Sequence, residues 1–561
     1  MKKLFLLSIS IFLSVAVFSQ EQYQPAQGDI SGILQKSNWK INLNIDSPLP
    51  IGDKGIPWNE NGLKCCVADF NGDGVDDFIV TGLHWVGTDN SSSTVGFLHI
   101  YYGQMSGDPI LAYSDNNFAV AGNGAIDCTK AANGTFLVAL QGGNKGNWAA
   151  PYKAFVYKLT PSATTATFTS ITELDFGAGR GSILFLDANN DGAMDIFQLG
   201  WKDNSAWQNQ ANIYINDGSD EWWDYEGNCG IRPAANTFVL VYDLNNDGKT
   251  DIVYPIQSGN WDNGDPRGIL IYYNNGDGAF DEYQVMSFYS NDRLDGYYFR
   301  GEDDLNQIQW VDFNNDGWMD LALASTIDNK DDLFGGGWTW PVVLLENKKD
   351  GTFAERPFIN EAKNNPLLLG GQRGDWATAD FDGDGYADLI GGFENQYRPS
   401  GGWNSRTYFF KGNGSGGFEE TEITLSDANP NGVPAMCRRG NFGRYLVGDF
   451  NGDKQPDLLA IGAPFSDAVR INRSLLYYNI VPNYHFTGIK ETVLSPVSIT
   501  SYNNEVCIRG GLNQTVSIYS VTGILVQKEI IQSNNITIHL MVSPGVYLVN
   551  VGDCVQKIIV K

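Results

Sequence analysis

The chain has 561 residues, 13% of them aromatic including 15 Trp, with a formal charge of -28 and a pI near 4.4. That charge excludes nucleic acid and anionic membrane surfaces as partners, because both would repel it, and the aromatic content excludes a disordered acidic tail. A single ordinary core is excluded by length, so one large repetitive domain or several domains are expected.

Residues 1–19 place Lys2 and Lys3 ahead of an apolar run that ends in small residues. This is the pattern of a secretory signal, with cleavage expected after Ser19. No later stretch is long and apolar enough to span a membrane, so the mature chain is expected to be exported and soluble. Seven scattered cysteines show no CxxC or Cys/His spacing, which argues against zinc; most read as small buried residues, with Cys507 and Cys554 as a candidate pair. Residues 20–64 contain "NWKINLNI" (38–45), expected to add a strand to the last repeat and latch it to the start of the chain.

From residue 67 a pattern begins that returns along the chain. "VADFNGDGVDDFIV" (67–80) is followed by "LFLDANNDGAMDIFQL" (184–199), "LVYDLNNDGKTDIVYP" (240–255), "QWVDFNNDGWMDLALA" (309–324), "ATADFDGDGYADLIGG" (377–392) and "LVGDFNGDKQPDLLAI" (446–461). The shared skeleton is D-x-[DN]-x-D-G-x-x-D between two apolar runs. A degenerate copy surrounds Asp127 in "GAIDCTKAANGTFLVALQGG", which completes seven units at spacings of 56 to 69 residues. Each unit carries four short strand-like runs, with Gly- and Asn-rich turns between the third and fourth. The expected fold is all-β: a seven-bladed β-propeller with calcium-binding loops over residues 20–487, followed by a small C-terminal β-sandwich over 491–561.

Clustered carboxylates repel, and the skeleton suggests what compensates them. Side-chain oxygens fall at loop positions one, three, five and nine, position seven offers a backbone carbonyl, and Gly at six permits the sharp turn. Such an oxygen cage at flexible spacing favours Ca²⁺ over Mg²⁺. The first-position ligands are Asp69, Asp187, Asp243, Asp312, Asp380 and Asp449. The third-position ligands are Asn71, Asn189, Asn245, Asn314, Asp382 and Asn451, and the fifth-position ligands Asp73, Asp191, Asp247, Asp316, Asp384 and Asp453. The carbonyls belong to Val75, Ala193, Lys249, Trp318, Tyr386 and Gln455, and the ninth-position ligands are Asp77, Asp195, Asp251, Asp320, Asp388 and Asp457. An EF-hand would need Glu at position twelve between helices. Position twelve holds Val80, Gln198, Tyr254, Leu323, Gly391 or Ala460, and the flanks read as strands. Up to six Ca²⁺ are expected, with none in the degenerate copy. Solvated Asx turns without metal are the alternative.

The acidic motif, its spacing and the following N-x-G-x-F-like turn resemble FG-GAP/VCBS repeats, as in the integrin α-subunit propeller and many bacterial secreted proteins. The likeness covers roughly residues 45–487. It implies a calcium-stabilised propeller and leaves function open, because function lives in sites rather than folds.

After residue 491 the acidic loops stop. "IYSVTGILVQ", "GVYLVNV" and "QKIIVK" alternate as strands of a sandwich. Their order at the end of the sequence resembles the type A sorting domain of type IX secretion cargo in Bacteroidetes. That resemblance implies type IX secretion machinery as a partner and a secreted or outer-surface location. An ordinary accessory sandwich is the alternative.

Loops between the second and third strands lie at the end opposite the acidic loops and are rich in Trp, Asn, Asp and Gly. Trp85, Trp148, Trp201, Trp207, Trp261, Trp338, Trp340 and Trp403 are candidate ligand-binding residues. A ring face packs on sugar C–H bonds while amides and acids bind hydroxyls; packing between blades is the bland alternative. "QRGDW" (372–376) contains Arg-Gly-Asp, read as a chance match at the start of a first strand. No HExxH, nucleophile elbow, Walker or dinucleotide loop occurs, so no catalytic residue is assigned. The expected function is a binding module for a glycan or extracellular protein ligand; the alternative is a secreted polysaccharide lyase or glycoside hydrolase built on the propeller.

Overall fold

Short apolar runs broken by Asp, Asn and Gly cannot support long elements, and in a computed structural model of the chain they form strands of two to ten residues with no helix among the described residues. The structure describes residues 26–39, 64–86, 93–120, 122–131, 134–143, 152–201, 209–227, 229–234, 239–245, 247–256, 268–280, 284–286, 297–299, 308–324, 327–329, 338–339, 342–355, 372–395, 404–426, 428–435, 444–461 and 475–482, and in the tail 498–502, 505–509, 515–520, 525–531, 535–540, 545–551 and 554–560. The leader at 1–19 lies outside them, as do Trp148, Trp207, Trp261, Trp340 and Trp403.

Each repeat forms its own antiparallel sheet, with strands hydrogen-bonded in chain order. The first sheet consists of Lys64–Ala68, Asp77–Val86, Ser93–Tyr102 and Ile110–Asp115. The second consists of Gly122–Lys130, Phe136–Gly143, Lys153–Pro161 and Ala166–Glu173. The third is Gly179–Leu186, Asp195–Trp201, Asn209–Asn216 and Trp223–Gly227. Leu240–Tyr242, Asp251–Ile256, Gly268–Tyr272 and Gln284–Met286 make the fourth. Ile308–Val311, Asp320–Ala324, Val342–Asn347 and Phe353–Glu355 make the fifth. The sixth holds Gln372–Ala379, Asp388–Asn395, Asn404–Gly412 and Phe418–Glu422, with Ala26–Gln27 added in parallel. The seventh takes Arg444–Gly448, Asp457–Ile461 and Leu475–Asn479 from its own repeat. Its fourth strand, Leu34–Lys36, comes from the start of the chain.

The expected latch is therefore present, but the strand precedes the expected one. Leu34–Lys36 pairs with Leu475–Asn479, whereas Asn38 and Trp39 follow the strand and residues 40–45 lie outside the described part. Trp39 instead packs edge-on against Phe78 and Tyr101 of the first sheet.

Burial of the sheet faces is what holds this arrangement. Sheets one and two share an apolar cluster that includes Ile79, Leu98, Val138 and Leu140. Equivalent clusters join two with three, three with four, four with five, five with six and six with seven. The seventh sheet meets the first through Phe450, Leu459, Ile461 and Leu476 against Phe78, Val80, Phe97 and Tyr101. Contacts among the described residues thus run in a closed cycle of the propeller kind.

The degenerate repeat departs from its expected frame. Asp127 does not open a loop; it sits within the strand Gly122–Lys130 opposite Ala139, and the strands join through a tight turn closed by Ala131 N–H to Thr135 O at 2.7 Å. Its carboxylate accepts the Phe185 N–H of the next sheet at 2.8 Å.

In the tail, Ser498–Tyr502, Glu505–Arg509 and Asn535–His539 form one sheet, and Thr515–Ser520, Leu525–Ile530, Gly545–Val551 and Cys554–Val560 another. Val506, Ile508 and Ile538 of the first meet Val516, Ile518, Val549 and Val551 of the second in one apolar cluster. Cys507 and Cys554 lie on different sheets. No helix among the described residues is long and apolar enough to cross a membrane.

Candidate cation-binding loops

Six sheets join their first and second strands through the acidic motif, and the loops share one construction. The first-position carboxylate accepts the N–H of position six in every loop, at 2.8–3.0 Å. The third-position side chain accepts the N–H of position five, at 2.9–3.2 Å. The fifth-position carboxylate accepts the N–H of position seven, at 2.8–3.1 Å. In five loops the position-five N–H bonds both the first and the third side chains, at 2.9–3.2 Å, which brings these two side chains to one amide.

These nested turns demand left-handed backbone at position six. Gly74, Gly192, Gly248, Gly317 and Gly385 have φ between 84° and 92°, and Lys454 adopts φ 68° in the seventh-sheet loop. A side chain in that region is strained. Position four is left-handed as well, which explains its restriction to Gly72, Gly383, Gly452, Asn190 and Asn315 among the described residues.

The ninth-position aspartates have a second task. All six are fully buried, and one oxygen of each accepts a backbone N–H at the end of the third strand: Gly103, Asn216, Asn274, Asn347, Gly412 or Asn479, at 2.7–2.9 Å. In five loops the other oxygen accepts the N–H of position two, at 2.8–3.0 Å. In the fifth-sheet loop that oxygen, Asp320 Oδ2, has no hydrogen-bond partner. Burial pushes Asp77, Asp388 and Asp457 up to about 8, and Asp195, Asp251 and Asp320 up to about 7.

The loops also lie at the junctions between sheets. The position-two carbonyl of one loop accepts a hydrogen bond from the following sheet's third-to-fourth turn. The donors are Gly278 N–H to Ala188 O, Asn347 Nδ2 to Leu244 O, Gly416 N–H to Phe313 O and Asn479 Nδ2 to Phe381 O. Gln104 N–H to Phe450 O makes the same contact from the first sheet to the seventh.

The donor chemistry suits a hard cation. In the sixth-sheet loop, carboxylate oxygens of Asp380, Asp382 and Asp384 lie within 4.8 Å of one another. Buried Asp449 Oδ1, like Asp320 Oδ2, has no hydrogen-bond partner, which is costly for a carboxylate unless a cation meets it. Lysine ammoniums approach four loops: Lys249 to Asp247 at 3.2 Å, Lys349 to Asp316 at 3.2 Å, Lys454 to Asp449 at 3.3 Å, and Lys411 to Asp382 and Asp384.

Fewer of the Trp positions can be placed. Trp85 pairs with Thr94 where the second and third strands of the first sheet extend at the end away from the acidic loop. Trp338 belongs to a small sheet of Tyr297–Phe299, Ile327–Asn329 and Trp338–Thr339 at the corresponding end of the fifth repeat. Trp201 is only 6% exposed, as a core side chain would be. Asp375 of the Arg-Gly-Asp stretch is buried, paired with Arg444 at 2.8 Å and accepting the Tyr445 N–H at 2.7 Å, so it is held inside a first strand as expected.

A family model described as an FG-GAP-like repeat matches residues 243–323 and 380–460, so such repeats are present in the chain. Nothing among curated proteins matches it. Similar solved structures include the α-L-arabinofuranosidase Arb93A from Fusarium graminearum, at 12% identity over 68% of this chain and 96% of that one, with TM-score 0.39. PorZ, a bacterial surface component of the type IX secretion system of Porphyromonas gingivalis, aligns at 13% identity over 91% of this chain and 61% of that one, with TM-score 0.37. The parainfluenza virus 5 hemagglutinin-neuraminidase ectodomain aligns at 12% identity over 82% and 87%, with TM-score 0.30.

Proposed function

We propose that the chain is an exported binding module: a seven-bladed propeller whose acidic loops hold up to six Ca²⁺ between blades, with a ligand face at the opposite end. One observation carries the metal reading. Six loops carry the same nested turns over a buried aspartate whose burial raises its pKa, so a neighbouring positive charge would favour its ionised form. Calcium would supply that charge and tie strand one, strand three and the next sheet together, a structural role in which binding and folding are coupled. Affinities around 10⁻⁴–10⁻³ M, usual for extracellular modules, would suffice outside a cell.

The ligand reading rests on the Trp-rich loops, of which Trp85 lies on a strand extension of the first sheet and Trp338 on the small sheet of the fifth repeat. A neutral glycan suits aromatic faces among amides on so acidic a protein. Residues 1–19 would direct export, and the sandwich at 491–561 would serve type IX sorting to the medium or outer surface. The test is a glycan array with and without chelator, alongside polysaccharide digestion assays. Calcium-dependent retention without product release supports the module; product release would replace it with an enzyme.

A further inference from the structure

The loop of the sixth sheet differs from the other five in two ways that answer each other. Its third position is Asp382, where the others have Asn, so it carries one more carboxylate. It is also approached by a lysine from a place where no other sheet puts a cation. That place is the residue before the third-strand N–H that caps the ninth aspartate. It is Tyr102, Ile215, Tyr273, Glu346 and Tyr478 elsewhere, and Lys411 here. Gly412 N–H to Asp388 Oδ1 at 2.9 Å anchors the strand, so Lys411 starts beside the loop. Its ammonium pairs with Asp382 and, at 2.7 Å, with Asp384. Burial works against that ammonium, but the two carboxylates outweigh it and raise its pKa.

We propose that Lys411 is a tethered counter-cation that competes with the divalent ion for the Asp380–Asp382–Asp384 oxygens, so that this loop fills only as Lys411 is displaced. The inference rests on the calcium reading of the loops and adds a control to one of them. A tethered ammonium has a high effective concentration, and an ion entering the loop must break both pairs before it gains two carboxylates. The extra charge of Asp382 is matched by Lys411, not left over for a tighter site.

Terbium reads this loop by difference, because position seven is Tyr386, whose ring can sensitise lanthanide emission, while Trp318 at position seven of the fifth-sheet loop gives a signal common to all variants. The chelator-stripped full-length protein is titrated with Tb³⁺, and the signal lost in Tyr386→Leu reports the sixth-sheet loop. Lys411→Met is expected to lower the Tb³⁺ midpoint about tenfold, which corresponds to the loss of both ion pairs. Lys411→Arg should stay near the parent value, and Lys411→Met combined with Asp382→Asn should return towards it. Circular dichroism of each variant confirms folding. An unchanged midpoint in Lys411→Met overturns the competition while leaving calcium in the loop. No Tyr386-dependent signal in any variant overturns it together with the metal reading.

Discussion

Asp77 and its five counterparts are acids that folding makes harder to ionise. Their carboxyls accept backbone N–H groups, yet burial outweighs those bonds and holds them near 7 or 8. Without a cation, the folded chain keeps protons that the unfolded chain releases near the ordinary carboxylate value. Stability from this source is complete at low pH and falls as pH rises towards 7–8, because the folded state binds more protons there. Calcium removes the need for those protons. In chelator, the melting temperature should therefore fall by about 5 °C or more between roughly pH 5 and pH 8, and added calcium should recover most of it at the upper end. A pH-independent melting temperature in chelator would mean that these carboxylates are neutralised by something other than protons or metal. The same residues mark a limit of sequence reading. Their spacing from Asp69 or Asp187 was visible in the motif, but their bond to the end of the third strand was not, because that partner lies 21–27 residues further on. A recurring Asn at 216, 274, 347 and 479, after each apolar run, was the available signal.

At the scale of elements, the first and second strands were legible because the acidic motif brackets them, and the third because it is a continuous apolar run. Two features were not. Asp127 had the right residue type near the expected spacing, but its partner is an N–H on the next sheet, and no local pattern encodes a contact across 58 positions. The latch was placed in the correct segment on the wrong residues. The strand was expected at 38–45, whereas the three-residue strand Leu34–Lys36 is fixed by what surrounds it. Ser37 N–H bonds Leu476 O at 2.8 Å, Ile480 N–H bonds Ile33 O at 2.9 Å, and Leu34, 1% exposed, enters the cluster of Ile390, Tyr445 and Tyr477 between the last two sheets. A strand that short is held by its side chain as much as by its ladder. Leu34→Ala should cost about 3 kcal/mol in denaturant unfolding, a typical penalty for emptying a buried leucine site, and should expose the N-terminal segment to protease before the rest. A cost below about 0.5 kcal/mol would show that the backbone pairing alone holds the latch.

For the whole molecule, the junction between the seventh and first sheets decides whether the cycle behaves as one unit. It joins residues more than 370 positions apart, so closing it carries an entropic cost that local contacts do not. The offsetting contacts are dense. Phe450 meets Phe78 edge-on at 5.4 Å between centroids, and Phe78 stacks on Tyr101 at 5.1 Å. Asp76 exchanges two bonds with Asp449, each at 2.8 Å, through its N–H and its carboxylate. Lys454 Nζ reaches Gly74 O at 2.5 Å, linking the two acidic loops that flank the junction. In an open stack, weakening one interface would loosen only the sheets beside it. In a closed cycle, losing this interface leaves two sheet faces bare and frees the loops stitched at every other junction to relax. Phe450→Ala should therefore cost about 4 kcal/mol. Hydrogen exchange should then quicken in the third-strand amides of the fourth and fifth sheets, Ile269–Ile271 and Leu344–Leu345, as well as in the first and seventh. Faster exchange confined to Asp77–Val86 and Asp457–Ile461 would mean that the seven sheets are coupled only to their neighbours, and that closure contributes contact area without cooperativity.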